Sequence, residues 1–159
     1  MVFVAMGVSG CGKSTIGEAL ADLLNFPFHD GDDFHPKANI DKMSSGQALN
    51  DEDRQPWLDI LAVNIQLWNR GEGAVLACSA LKEKYRETLS KFGEVTFVYL
   101  KGSREVILER MKQRDHFMKP EMLDSQFATL EEPQEALTVD ISQSTDEIIK
   151  ELQEMINVN

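Results

Sequence analysis

Cysteine is scarce in this 159-residue chain, which carries only Cys11 and Cys78. Two cysteines are too few for a disulfide framework or a thiolate zinc site, so a reduced, cytoplasmic setting is expected. Long apolar runs are missing as well: none approaches the roughly 20 residues of a membrane span. The first apolar strand begins at Val2, which leaves no room for a signal peptide, and none is expected. Positive charge is in short supply, with 16 Lys and Arg against 27 Asp and Glu and a formal net charge of −11. Such a surface repels nucleic acid and anionic membranes, and neither is expected as a partner. Repeats, low-complexity tracts and domain-sized linkers are also lacking, so residues 1–159 read as one domain.

What is present is organised around one stretch, Gly7-Val8-Ser9-Gly10-Cys11-Gly12-Lys13-Ser14. It fills the phosphate-loop pattern of glycine, four residues, then Gly-Lys-Ser. Glycines let the backbone turn tightly and bring N–H groups against phosphate oxygens. Lys13 supplies a mobile charge for the terminal phosphates, and the Ser14 hydroxyl can hold Mg²⁺. Apolar Val2–Met6 precedes the loop, and Ile16, Ala19, Leu20, Leu23 and Leu24 follow at helical spacing. A strand, loop and helix in that order predict a nucleoside-triphosphate cradle, with Thr15 completing the nucleotide-binding set. Cys11 lies beside Lys13 at the positive end of the helix, which lowers a thiol pKa, while apolar burial opposes this. A redox-sensitive thiolate and an inert space-filling residue are both open.

A second strand ends near His29-Asp30 and gives way to Gly31-Asp32-Asp33-Phe34-His35-Pro36. Strand C-termini in a parallel sheet face the ligand crevice, so these carboxylates lie beside the phosphate loop. They form either a solvated turn capping a helix or a metal and substrate site. Next to a magnesium–nucleotide cradle, Asp30 and Asp32 fit the second reading. A short helix and loop are expected over residues 37–50, then a long helix whose acidic start gathers Asp51, Glu52 and Asp53. Pro56 suits its first turn. Trp57, Leu61, Ile65 and Trp68 mark its buried face, and Arg54 stands at its mouth as a surface arginine or a ligand.

Ala74–Cys78 reads as a third strand, followed by Ser79-Ala80-Leu81-Lys82 and a helix bearing Tyr85 and Arg86. No Asp closes this strand, unlike the usual metal-holding acid of phosphate-loop enzymes, which adds weight to Asp30. Val95–Leu100 is a fourth strand. The next helix sets Arg110 and Arg114 on one face, leading into an irregular segment. The pair suits a lid that closes on phosphates, or an exposed basic helix end. A helix over about 120–130, a fifth strand over 136–141 and an amphipathic last helix with a Ser144/Glu147 capping box complete an α/β alternation.

Several stretches together closely resemble the gluconokinase family: Gly7–Ser14, Asp30–Pro36, Asn39 with Lys42-Met43, Leu49–Arg54 with Pro56-Trp57, Ala77–Lys82 with Tyr85-Arg86, and His116-Phe117-Met118 with Ser125-Gln126 and Thr129-Leu130-Glu131. The similarity runs collinearly through nearly the whole chain. It implies the fold of shikimate and nucleoside-monophosphate kinases: three α/β/α layers around a parallel sheet ordered 2-3-1-4-5. A substrate-binding insert over about 31–72 and a lid over about 114–124 are implied too. So is transfer of the γ-phosphate of ATP to the 6-hydroxyl of D-gluconate, with Mg²⁺, in a cytoplasmic homodimer.

By similarity, Lys13 and the loop amides hold the phosphates, Ser14 the metal, and Asp30 its outer shell. Asp32 receives or orients the substrate hydroxyl. Arg114 covers the transferring group and Arg110 stacks beside adenine. Gluconate carries a carboxylate, for which Arg54, Lys82 and Arg86 are the candidates. Shikimate kinase is the near alternative, although the third strand ends here in Ala77-Cys78-Ser79-Ala80 rather than in the triple glycine of that family. A nucleotide-sensing switch is the distant one, and the guanine motif N-K-x-D is absent.

Overall fold

The structure is a computed structural model that describes residues 1–113 and 120–157. Strands β1 (Val2–Met6), β2 (Phe28–Asp30), β3 (Ala74–Ala77), β4 (Thr96–Lys101) and β5 (Leu137–Asp140) form one sheet. Its order is β2-β3-β1-β4-β5 and every pairing is parallel, with Phe3 opposite Val75 and Val4 opposite Phe97. Parallel strands are covered on both faces, which explains why all five residues of β1 are apolar and buried.

Among the described residues seven α-helices join them: α1 (Lys13–Leu24), α2 (Lys37–Ser44), α3 (Asp51–Arg70), α4 (Glu83–Leu89), α5 (Arg104–Gln113), α6 (Pro120–Thr129) and α7 (Thr145–Asn157). Side chains alternate along each strand and build two cores. Phe3, Val75, Val98 and Leu100 meet Ile16, Leu20, Ile107, Leu123, Ile148 and Leu152 on one face. Val4, Met6, Leu76, Phe97 and Tyr99 meet Trp57, Leu58, Leu61, Ile65 and Leu89 on the other. The result is the expected three-layer order, with α1, α5, α6 and α7 against one face and α3 and α4 against the other.

Local signals set the long helix. The Asn50 side chain accepts from Asp53 N at 2.8 Å while Asp53 Oδ2 accepts from Asn50 N at 2.9 Å, a reciprocal cap. Because α3 starts at Asp51, Pro56 falls in its second turn rather than its first; it is exposed there. The expected Ser144/Glu147 capping box is present at the start of α7.

Candidate active site

The loop leaving β1 turns into α1 at Gly12, which holds φ +94° at the N-cap. No side chain among the described residues caps this end, so its first amides point outward as an anion cradle. Gly10 is required twice over: its φ is +84°, and a Cβ there would lie 2.6 Å from Met111 Cε. Lys13 Nζ folds back over the loop, donating to Gly7 O at 3.1 Å and Val8 O at 3.2 Å. Ser14 and Thr15 are exposed on the first turn of the helix. The leading edge is latched from α6: Ser9 N donates to Gln126 Oε1 at 2.6 Å, and Gln126 Nε2 donates to Ser9 Oγ at 2.9 Å. Nothing local in the sequence marks that contact between residues 117 apart.

Of the two open readings of Cys11, burial favours the inert one. Its thiol is fully buried in the core with Val8, Ile107 and Met111, and burial pushes its pKa above the ordinary value despite Lys13 nearby. Desolvation outweighs the helix dipole, so the thiolate is disfavoured and Cys11 packs as an apolar residue. Cys78 is likewise buried, its thiol pushed up to about 12.

Two strand ends away, Asp30 caps a 3₁₀ turn (Gly31–Phe34), its Oδ1 accepting from Asp32 N at 3.0 Å. The turn lies close to β3: a Cβ on Gly31 would come within 2.8 Å of Ala77 O. Trp57 Nε1 donates to Gly31 O at 2.8 Å and fastens the turn to α3. Asp32 presents its carboxylate outward, 84% of the side chain exposed. Its pKa is raised above the ordinary carboxylate range, by desolvation first and then by the Asp30 charge, with His35 and Lys13 opposing.

His35 stacks on Trp57, ring centroids 4.2 Å apart. Buried Asn39 donates Nδ2 to Asp53 O at 3.0 Å, and that same amide faces His35 Nδ1 at 3.2 Å. His35 Nδ1 is therefore the acceptor and Nε2 carries the proton, 3.7 Å from Asp32 Oδ1. Desolvation lowers the His35 pKa, which keeps the ring neutral.

Arg54 and Lys82 both approach Tyr85, with the guanidinium 5.7 Å and the ammonium 5.6 Å from its ring centroid. Asp51 joins them, accepting from the Tyr85 hydroxyl, from Lys82 Nζ at 3.2 Å and from Lys84 Nζ at 2.5 Å. These hydrogen bonds, that of Lys84 foremost, hold its carboxyl well below the usual range. The structure thus brings Arg54 and Lys82 together as expected neighbours. Asp51, Lys84 and Tyr85 had no role in the sequence reading; the acidic start of α3 and the Lys82–Arg86 stretch are the only local signals.

Arg86 is not with them. It is 4% exposed and spends its guanidinium on Ala80 O at 2.7 Å, Glu131 O at 2.7 Å and Glu83 Oε2 at 3.0 Å. Ala80 adopts φ +47°, a left-handed conformation costly for a residue with a Cβ. Arg86 clamps that strained turn from inside, with both terminal nitrogens engaged. Arg110 donates to Ile141 O and, at 3.3 Å, to Gln143 O, so it binds the β5–α7 turn. With Val106, Ile141 and Ser142 it borders an open cleft of about 360 Å³. Arg114 and residues 114–119 of the expected lid lie outside the described residues.

Among the described residues no cluster of three His, Cys, Asp or Glu could hold a metal alone. One hydroxyl, Ser14, and one carboxylate, Asp30, suit Mg²⁺, which keeps waters and phosphate oxygens as most of its ligands.

The family described as shikimate kinase matches residues 9–157. Thermoresistant gluconokinase of Escherichia coli strain K12 is 43% identical over 164 residues, covering 98% of this chain and 93% of that one. Thermosensitive gluconokinase of the same organism is 50% identical, covering 83% and 72%. A gluconokinase crystal structure from Sinorhizobium meliloti 1021 is 44% identical with a TM-score of 0.86, covering 94% and 87%. Shikimate kinase of Aquifex aeolicus, 20% identical with a TM-score of 0.62 over 100% and 98%, shares the fold.

Proposed function

The chain belongs to the gluconokinase family, within the shikimate kinase fold, and on that premise we propose that it transfers the γ-phosphoryl group of ATP to the 6-hydroxyl of D-gluconate. The observation that carries the reading is a carboxylate, Asp32, on the turn that follows β2, within the field of the phosphate-loop lysine. The charge of Lys13 acts on Asp32, whose Oδ1 lies 3.7 Å from Nε2 of the neutral His35 ring, and the charge of Arg54 acts on His35. A polyol acid spans such a site, its carboxylate end on Arg54 and Lys82 and its hydroxyl end at Asp32.

Phosphoryl transfer asks for alignment and charge neutralisation more than covalent chemistry. The loop amides and Lys13 bind the β- and γ-phosphates. Asp32 accepts the proton of the 6-hydroxyl as that oxygen forms its bond to the γ-phosphorus and the bond to the β-bridging oxygen breaks, releasing ADP. Ser14 and Asp30 would hold Mg²⁺, which offsets the phosphate charge when bound. Arg110 at the adenine end and Arg114 over the transferring group belong to the same reading, as do the insert over about 31–72 and the lid over about 114–124. Arg86 is replaced in it as a ligand by its clamp on Ala80.

The same reading makes the enzyme a cytoplasmic homodimer. Two thiols that pair with nothing suit a reducing compartment. Ile60, Val63 and Leu67 expose an apolar stripe along α3. A coupled ADP-release assay with D-gluconate, shikimate or no acceptor tests the activity. Gluconate-dependent release supports it, and shikimate-dependent or acceptor-independent release rejects it.

A further inference from the structure

Asp51 gathers four groups from two elements around one carboxylate. Its Oδ2 accepts from Lys82 at 3.2 Å and Lys84 at 2.5 Å, its Oδ1 accepts from the Tyr85 hydroxyl, and Arg54 Nη1 stands 3.7 Å from Oδ1. Arg54 Nη1 also donates to Tyr85 Oη at 3.3 Å, which ties the arginine to the same oxygen.

Two features separate this group from an ordinary surface ion pair. The first is charge. Three cations face one carboxylate, while Asp53 and Glu83 are engaged elsewhere, with Lys42 at 2.6 Å and with Arg86 at 3.0 Å. In a chain of net charge −11, this is a local positive excess. The second is exposure. The side chains of Asp51, Arg54 and Lys82 are 40%, 32% and 28% exposed, so the group opens to solvent. Ion pairs there add little to stability, so folding alone does not account for assembling it.

Long lysine and arginine side chains lose much conformational freedom when ordered. A site that grips a carboxylate binds more tightly if that ordering precedes the ligand. We propose that Asp51 is a positioning residue for substrate recognition: its carboxylate holds Lys82 and Arg54 beside Tyr85, in the arrangement that receives the carboxylate of the substrate. This rests on the reading of Arg54 and Lys82 as the gluconate carboxylate site. Asp51 repels an incoming anion, yet its single charge is shared among three cations. Preorganisation therefore outweighs competition.

Steady-state kinetics of the full chain with ATP and D-gluconate test the role. Asp51→Asn keeps the shape but removes the charge, and should raise the gluconate KM about tenfold with the ATP KM within about twofold. Asp51→Glu should recover most of the loss. A general loss of structure would move both KM values and the melting temperature together. A folded Asp51→Asn enzyme with an unchanged or lowered gluconate KM overturns the proposal, the lowered value marking Asp51 as a competing anion. If that variant does not fold, Tyr85→Phe carries the test, because it removes only the hydroxyl bridging Arg54 and Asp51. Its gluconate KM should rise about threefold or more, and no rise overturns the proposal. Arg54→Lys and Lys82→Met separate this inference from its premise. If neither moves the gluconate KM, the carboxylate site is elsewhere and both readings fall. If they raise it while Asp51→Asn does not, only the role of Asp51 falls.

Discussion

Replacing Arg86 with methionine should damage stability and leave gluconate affinity near normal. The side chain is 4% exposed, and methionine fills much of its volume without supplying a donor. Ala80 O and Glu131 O, each bound at 2.7 Å, would lose their partner. A buried acceptor left unpaired costs about 1–3 kcal/mol, so the two together come to about 4 kcal/mol. The lost contact with Glu83, whose side chain is 63% exposed, adds little. Release of the left-handed Ala80 turn returns some strain, which keeps the sum near the middle of its range. For a chain of this length each kcal/mol moves the melting temperature by about 2–4 °C, which predicts a fall of about 10 °C. Arg86→Lys should also destabilise, because one ammonium cannot reach all three acceptors. Thermal unfolding followed by circular dichroism reads the effect, with gluconate KM measured well below the transition. A melting temperature within about 2 °C of wild type, together with a raised gluconate KM, would show that Arg86 serves the substrate and not the fold.

Asp32→Asn should lower kcat at least about a hundredfold while the ATP KM stays within about threefold; near-normal turnover would reduce Asp32 to a turn residue. Gln126→Leu cuts both bonds to Ser9 and should raise the ATP KM several-fold with the gluconate KM steady, whereas equal changes in both would deny the latch any link to nucleotide. Stability should fall with acid in two stages. His29 and His35 have folded pKa values lowered below 6.5 by desolvation, so the unfolded chain takes up protons first and the urea midpoint declines as pH drops through that value. Asp53 and Glu132 have folded pKa values lowered by Lys42 and Lys101, so their contribution is present above about pH 4.5 and is lost as pH falls below it. Imidazole signals of His29 and His35 that titrate at or above 6.5 would contradict the first stage.

Features written within a few neighbouring residues were legible in the sequence. The phosphate loop, the Asn50 start of α3, the Ser144/Glu147 cap and the five strands are of this kind, and the sheet order followed from the resemblance. Asp30 and Asp32 could be anticipated because a parallel sheet directs its strand ends to one edge. What failed or stayed open depended on distant chain. Arg86 looked like a free cation because its acceptor at Glu131 lies 45 residues away. The Cys11 thiol depended on whether α5 covers it, and the helix dipole visible in the sequence is the weaker effect. Asp51 and Tyr85 stand 34 residues apart, so nothing in either local stretch announced their contact.

The most direct test of the account is identification of the product. The chain is incubated with ATP, Mg²⁺ and D-gluconate, and the mixture is followed by phosphorus and carbon NMR beside a Lys13→Ala control. The account predicts a phosphate ester on carbon 6 of gluconate, formed one for one with ADP by the wild-type chain and not by the control. Phosphate on another carbon, ADP formed without phosphogluconate, or equal product from the Lys13→Ala chain would contradict it.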